Sequence, residues 1–132
     1  MCWKSLIIAC IVLMVIDGPY LYLNKDLYAA RTKAISGRGY TNRYYSVLLV
    51  YICLALGIVF VSVPNIRTTS IHTLILDSLR WGGLLGLASY GTIDFTMHFM
   101  FEGWDLGVAV MDTIWGTILC SLVAGIVAWL MK

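Results

Sequence analysis

The chain has 132 residues, of which 61% are hydrophobic and 12% charged, with a formal net charge of +2. Soluble domains carry about 45–50% apolar and about 25% charged residues, so this balance excludes both a water-soluble globule and a disordered tail. So slight a basic excess, with no basic run interleaved with aromatics, also excludes a nucleic-acid partner. The composition describes an integral, multi-pass membrane protein, a single domain over residues 1–132 whose main partner is the lipid bilayer.

Four apolar runs follow in chain order: Ser5 to Leu23, Tyr44 to Val63, Leu74 to Met97 and Leu106 to Met131. Each has about the 20 residues that a helix needs to cross a ~30 Å hydrocarbon core. Backbone groups in lipid must be satisfied within the segment, and barrel-type alternation is missing, so the runs predict helices. The expected fold is an all-α four-helix transmembrane bundle. Ser36-Gly37-Arg38-Gly39, Pro64-Asn65 and Glu102-Gly103 supply the breaks between runs. Trp3, Tyr22, Tyr28, Tyr44, Tyr45, Trp104 and Trp129 crowd the run ends as an interfacial belt. Only Lys4 precedes the first run and no small-x-small site closes it, so it is expected to stay as a helix and not be cleaved as a signal. Lys25, Arg31, Lys33, Arg38 and Arg43 outnumber Lys4, Arg67, Arg80 and Lys132, which leans the first loop towards the cytoplasm. That loop is read as a basic, glycine-bearing connection.

Cys2, Cys10, Cys53 and Cys120 show no C-x-x-C spacing, and the last three stand in apolar runs as small hydrophobes. No metal and no cofactor is expected. Gly-rich phosphate loops, H-E-x-x-H, G-x-S-x-G and the potassium-filter pattern are missing, and the chain is read as a non-enzyme.

The charges inside the runs carry the functional information. Asp17 lies six residues before Leu23, Asp94 three before Met97 and Asp112 six after Leu106. At 1.5 Å rise per residue all three lie within about 5–10 Å of one membrane face. Each costs about 2.5–3.5 kcal/mol near the centre of an isolated helix, which must be offset by pairing, protonation, water or a cation. The expected polar site is therefore Asp17, Asp94 and Asp112, with Tyr90, Thr96, Thr113 and Trp115 as neighbours. Like charges at one depth imply that at least one proton is held there. The alternative is helix-locking glue, with Asp17 reaching Lys25 or Arg43 and the other two accepting from nearby Tyr, Thr or Trp. Gly82, Gly83, Gly86 and Gly116 mark close helix packing, with a homo-oligomer through Gly82 and Gly86 as one use of that face. Asp77 and Arg80, three residues apart, are expected to pair with each other.

Tyr90-Gly91-Thr92-Ile93-Asp94-Phe95-Thr96, then Gly103-Trp104 and Asp112-Thr113-Ile114-Trp115-Gly116-Thr117, resemble a family of small membrane proteins known as domain of unknown function 2177. Asp17 matches that family's aspartate late in helix one, while Met97 and Asp105 depart from its Asn and Pro. The resemblance spans essentially the whole chain and implies four membrane helices and no established activity. Two functions from different classes remain: a small transporter or channel that couples protons or small cations to the aspartates, and a structural or accessory membrane subunit. A membrane-embedded enzyme is a distant third.

Overall fold

The structure, a computed structural model, describes residues 2–38 and 43–132, and these contain helices and no strand. α1 spans Cys2–Leu23 and α2 Lys25–Ser36. α3, Tyr44–Gly57, is prolonged by a π-helical turn, Ile58–Ser62, and a 3-10 turn, Val63–Asn65. α4, Ile71–Asp77, runs through a second π-helical turn, Ser78–Gly82, into α5, Gly83–Met100, and α6 covers Leu106–Met131.

Among the described residues three helical stretches are long and apolar enough to cross a membrane: Trp3–Leu23, Tyr44–Asn65 and Leu106–Met131, at mean hydropathies of 2.2, 2.7 and 2.1. The run expected at 74–97 is helical without interruption from Ile71 to Met100, but Asp77, Arg80 and Asp94 dilute its apolar content and it does not join these three.

The loop expected after α1 is corrected, because most of it is α2. Gly37 ends this helix in the left-handed conformation (φ 77°), with its N–H donated to Lys33 O at 2.8 Å. Leu27, Tyr28, Ala29, Arg31, Thr32 and Ile35 are its partly buried positions, a helical stripe laid on the rest of the molecule. No residue of α2 is fully buried. Gly39, expected in the turn, lies outside the described residues.

α6 is the axis. It carries eleven buried residues and packs against α1, α4, α5 and both π-helical turns. The core beside it is apolar and small: Ala9, Leu13, Ala55, Ile58, Leu119, Cys120, Val123, Ala124, Val127 and Ala128. Outward-facing Ile7, Ile11, Leu48, Ile52, Ile114, Ile118 and Leu122 are exposed on three different helices, a surface that needs hydrocarbon around it.

The glycines decide how closely α5 and α6 approach. A Cβ on Gly82 would lie 2.6 Å from Cys120 O, and one on Gly86 would enter the Gly116 backbone. A Cβ on Gly116 would collide with the Tyr90 ring, whereas Gly83 faces only the Ser121 side chain at 3.1 Å. Backbone-to-backbone contact of this kind is the small-residue packing of membrane helices. The face bearing Gly82 and Gly86 is thus filled by the chain's own α6. Where the two π-helical turns meet, Ser62 Oγ donates to Trp81 O at 3.1 Å.

At this end Asp77 is paired, but not with Arg80. Arg67 donates to it from the backbone N–H (3.0 Å), from Nε (2.9 Å) and from Nη2 (3.2 Å). Arg80 instead lies over the Trp81 ring, 5.5 Å from its centroid. An i, i+3 pairing loses to a fork that delivers three donors from the turn between α3 and α4. Lys132 Nζ closes the same end, donating to Val63 O and Ile66 O at 2.8 and 2.7 Å.

Candidate functional site

The opposite end of the bundle, where α1 meets α2 and α5 meets α6, holds the three aspartates. Asp17, buried on α1, has both carboxylate oxygens served. Tyr51 Oη on α3 donates to Oδ2 at 2.7 Å, and Trp115 Nε1 on α6 donates to Oδ1 at 2.8 Å. Lys25 lies instead over the Tyr22 ring at 4.4 Å, so no snorkelling lysine neutralises Asp17. Two charge-assisted bonds inside a helix interface hold a carboxylate firmly and tie three helices together.

Asp94 and Asp112 make a different arrangement. The Asp112 carboxyl lies beside that of Asp94, brought there by the close α5–α6 contact at Gly86 and Gly116. Asp94 is 1% exposed, and its Oδ1 has no hydrogen-bond partner. Its Oδ2 stands 3.4 Å from Thr113 Oγ1, which also reaches Ala109 O at 2.8 Å. A threonine hydroxyl has a single hydrogen, and the shorter bond to Ala109 takes it. The Trp104 indole lies beside Asp94 as well, with its buried Nε1 closing no bond.

Asp112 is half-buried and accepts from Tyr28 Oη on α2 at 2.8 Å. The Tyr28 oxygen is in turn 2.7 Å from Tyr20 Oη on α1. Burial first, then Tyr20 and Asp112, push the Tyr28 hydroxyl above the usual tyrosine range, so it stays a donor. Tyr20 stacks on Trp115 with ring centroids 4.4 Å apart, and Tyr28 stacks on Trp104 at 6.1 Å. The aromatic stack thus links the Asp17 bonds to the Asp94–Asp112 pair. Around its rim Arg31 pairs with Asp105 at 3.4 Å, and His98 Nδ1 meets Trp104 O at 2.8 Å.

Among the expected site residues, Asp94, Asp112 and Thr113 come together, and Trp115 binds Asp17. Tyr90 packs its ring on Gly116 and hydrogen-bonds none of the aspartates among the described residues. Thr96 is corrected: it is exposed and bonds back to Thr92 O, because two residues beyond Asp94 is about 200° around a helix. Tyr20, Tyr28, Tyr51, Trp104 and Arg31 were not anticipated at the site. Tyr51 had a signal, since seven residues into α3 puts it at the depth of Asp17. Among the described residues no three of His, Cys, Asp or Glu gather closely enough to share a metal ion.

The family whose model is described as "Predicted membrane protein (DUF2177)" matches residues 2–129. No curated protein and no solved structure matches the chain.

Proposed function

This chain belongs to the DUF2177 family of predicted membrane proteins, and we propose that within it the Asp94–Asp112 pair is a proton-exchange site of a small proton-coupled carrier or channel. One observation carries the reading: a fully buried carboxyl with an unpartnered oxygen, set against a second carboxyl and, among the described residues, in no ion pair with a basic side chain. Two carboxyls in contact hold a single proton between them, and an acid pair inside a membrane segment binds and releases protons as its surroundings change. The site is better suited to a proton than to a metal cation, which wants three or more oxygen ligands. We further propose that Ile71–Met100 is a fourth crossing segment, completing a four-helix bundle. Its polar residues are then covered by α6 and by Arg67, and its exposed Leu79, Leu84, Leu87 and Ile93 face lipid.

The test is proton flux in vesicles loaded with a pH-sensitive dye. The wild-type protein is expected to move protons, and Asp94→Asn and Asp112→Asn to stop it. Flux that survives Asp94→Asn, or a wild type with none, overturns the reading. The saturated bonds of Asp17 favour a second reading for that residue alone: it locks helices and takes no part in exchange.

A further inference from the structure

Asp94 is sealed from either side of the bundle, so a proton bound there needs a route. Two hydroxyls stand in line with the pair. Tyr20 Oη and Tyr28 Oη are 2.7 Å apart, and Tyr28 donates to Asp112 Oδ1 at 2.8 Å. Both tyrosines are partly exposed, one late in α1 and the other on α2, whereas Asp94 is fully buried. The chain of oxygens therefore runs from the α2 end of the molecule to the acid pair. Both spacings are ordinary for O–H···O bonds, and a hydroxyl can donate and accept at once.

We infer that Tyr20 and Tyr28 are a proton relay between water at the α2 end and the Asp94–Asp112 pair, a step that rests on the exchange reading above. In the inward direction a hydronium ion gives its proton to the Tyr20 oxygen, and the proton already on Tyr20 passes to the Tyr28 oxygen. The proton on Tyr28 then passes to Asp112 Oδ1. Three O–H bonds form and three break, one positive charge arrives at the pair, and no electron is transferred. Rotation of the two hydroxyls restores the starting arrangement, and the outward transfer is the same sequence reversed.

Groups from every adjoining element surround this line. α1 contributes Asp17, α2 contributes Arg31, and α5 contributes Asp94, Tyr90 and His98. Asp105 stands in the turn before α6, and Asp112 on α6 itself. Among the described residues Asp112 alone accepts from the relay, since Asp17 is taken by Tyr51 and Trp115, Arg31 is a donor whose Nη2 pairs with Asp105, and His98 is taken by Trp104. Tyr28 is thus, among the described residues, the hydrogen-bonded connection between the pair and α2. Tyr20 and Tyr28 act through Asp112 and are positioning and relay residues, not catalytic ones.

The experiment follows hydrogen–deuterium exchange of the protonated carboxyl C=O stretch in the purified full-length chain by infrared spectroscopy. This readout does not depend on transport. The band is expected in the wild type, reduced or lost in Asp112→Asn, and retained in Tyr28→Phe and Tyr20→Phe. In the two phenylalanine variants its deuterium shift should be at least about tenfold slower, the scale of losing a positioned proton-transfer group. Lys33→Ala, at an exposed position of α2 away from the line of oxygens, should leave the wild-type rate. Exchange in Tyr28→Phe at the wild-type rate overturns the relay, as does a wild type with no such band. Faster exchange in Tyr28→Phe overturns it too, since water would then reach the pair without the two hydroxyls. Slow exchange in Tyr28→Phe together with no flux in vesicles keeps the relay and removes the carrier.

Discussion

Asp77 and Asp94 stand on one continuous helical stretch, both buried, at 6% and 1% exposure, yet their surroundings are opposite. Asp77 meets three donors from Arg67 and is charge-matched. Asp94 meets another carboxyl and keeps an oxygen with no partner. The first is how a fold keeps a carboxylate it needs for shape. The second is a polar group held in an unfavourable state, the pattern on which the proposed exchange site rests. Burial alone does not separate structural from functional acids; the partner does. Asp17 shows the same point, since it lies at the Asp94 end but resembles Asp77 in having every oxygen served.

The comparison can be broken most forcibly at the seam that joins the two ends. Gly86→Val puts side-chain carbon into the Gly116 backbone and should destabilise by about 3 kcal/mol or more. Yield of folded protein in detergent checks it, and loss of subunit association with an intact monomer would contradict the internal role of these glycines. Asp17→Ala comes next. It strands the buried Tyr51 hydroxyl and Trp115 indole donors at about 1–3 kcal/mol each, which a lowered thermal midpoint would register. Asp94→Asn should carry the opposite sign. An amide beside Asp112 replaces a carboxyl pair with a donor and an acceptor, raising stability by about 1 kcal/mol. If Asp94→Asn lowers the midpoint as Asp17→Ala does, the distinction between the two acids fails. Arg67→Ala should have the smallest effect, a modest drop in midpoint, because the Arg67 side chain is 72% exposed and water screens its pairing. The drop should shrink in high salt, and a drop insensitive to salt would place the Arg67–Asp77 pair in a drier environment.

The matched depth of the three aspartates was legible because helical rise converts residue counts into distance along the membrane normal. So was the α5–α6 approach, since glycines at a four-residue interval can only lie on one face. Direction around the helix was harder. Thr96 lies close to Asp94 in sequence and yet points away, while Thr113, a neighbour of Asp112, turns towards Asp94. The partner of Asp77 was hidden because Arg67 reaches it across a turn, and no helical periodicity encodes that contact. α2 was missed for a different reason. Its mean composition is polar, so a search for apolar runs passes over it, although the stripe from Leu27 to Ile35 and Gly37 after it were there to find. Missing α2 meant missing Tyr28's place at the site, and with it the hydrogen-bonded link, among the described residues, from the acid pair to α2.

The central place of α6 has a consequence for biosynthesis. Chains enter the membrane from the amino end, and among the described helices α6 is made after the other five. Until it arrives, Asp17 lacks Trp115, Asp94 lacks Asp112 and Thr113, and Gly82 and Gly86 have no backbone to pack on. The earlier helices are therefore individually insertable but jointly unfinished, with two carboxyls waiting in lipid or in the insertion machinery. Assembly is completed in one late step, when a single helix delivers the partners that all the others have been missing.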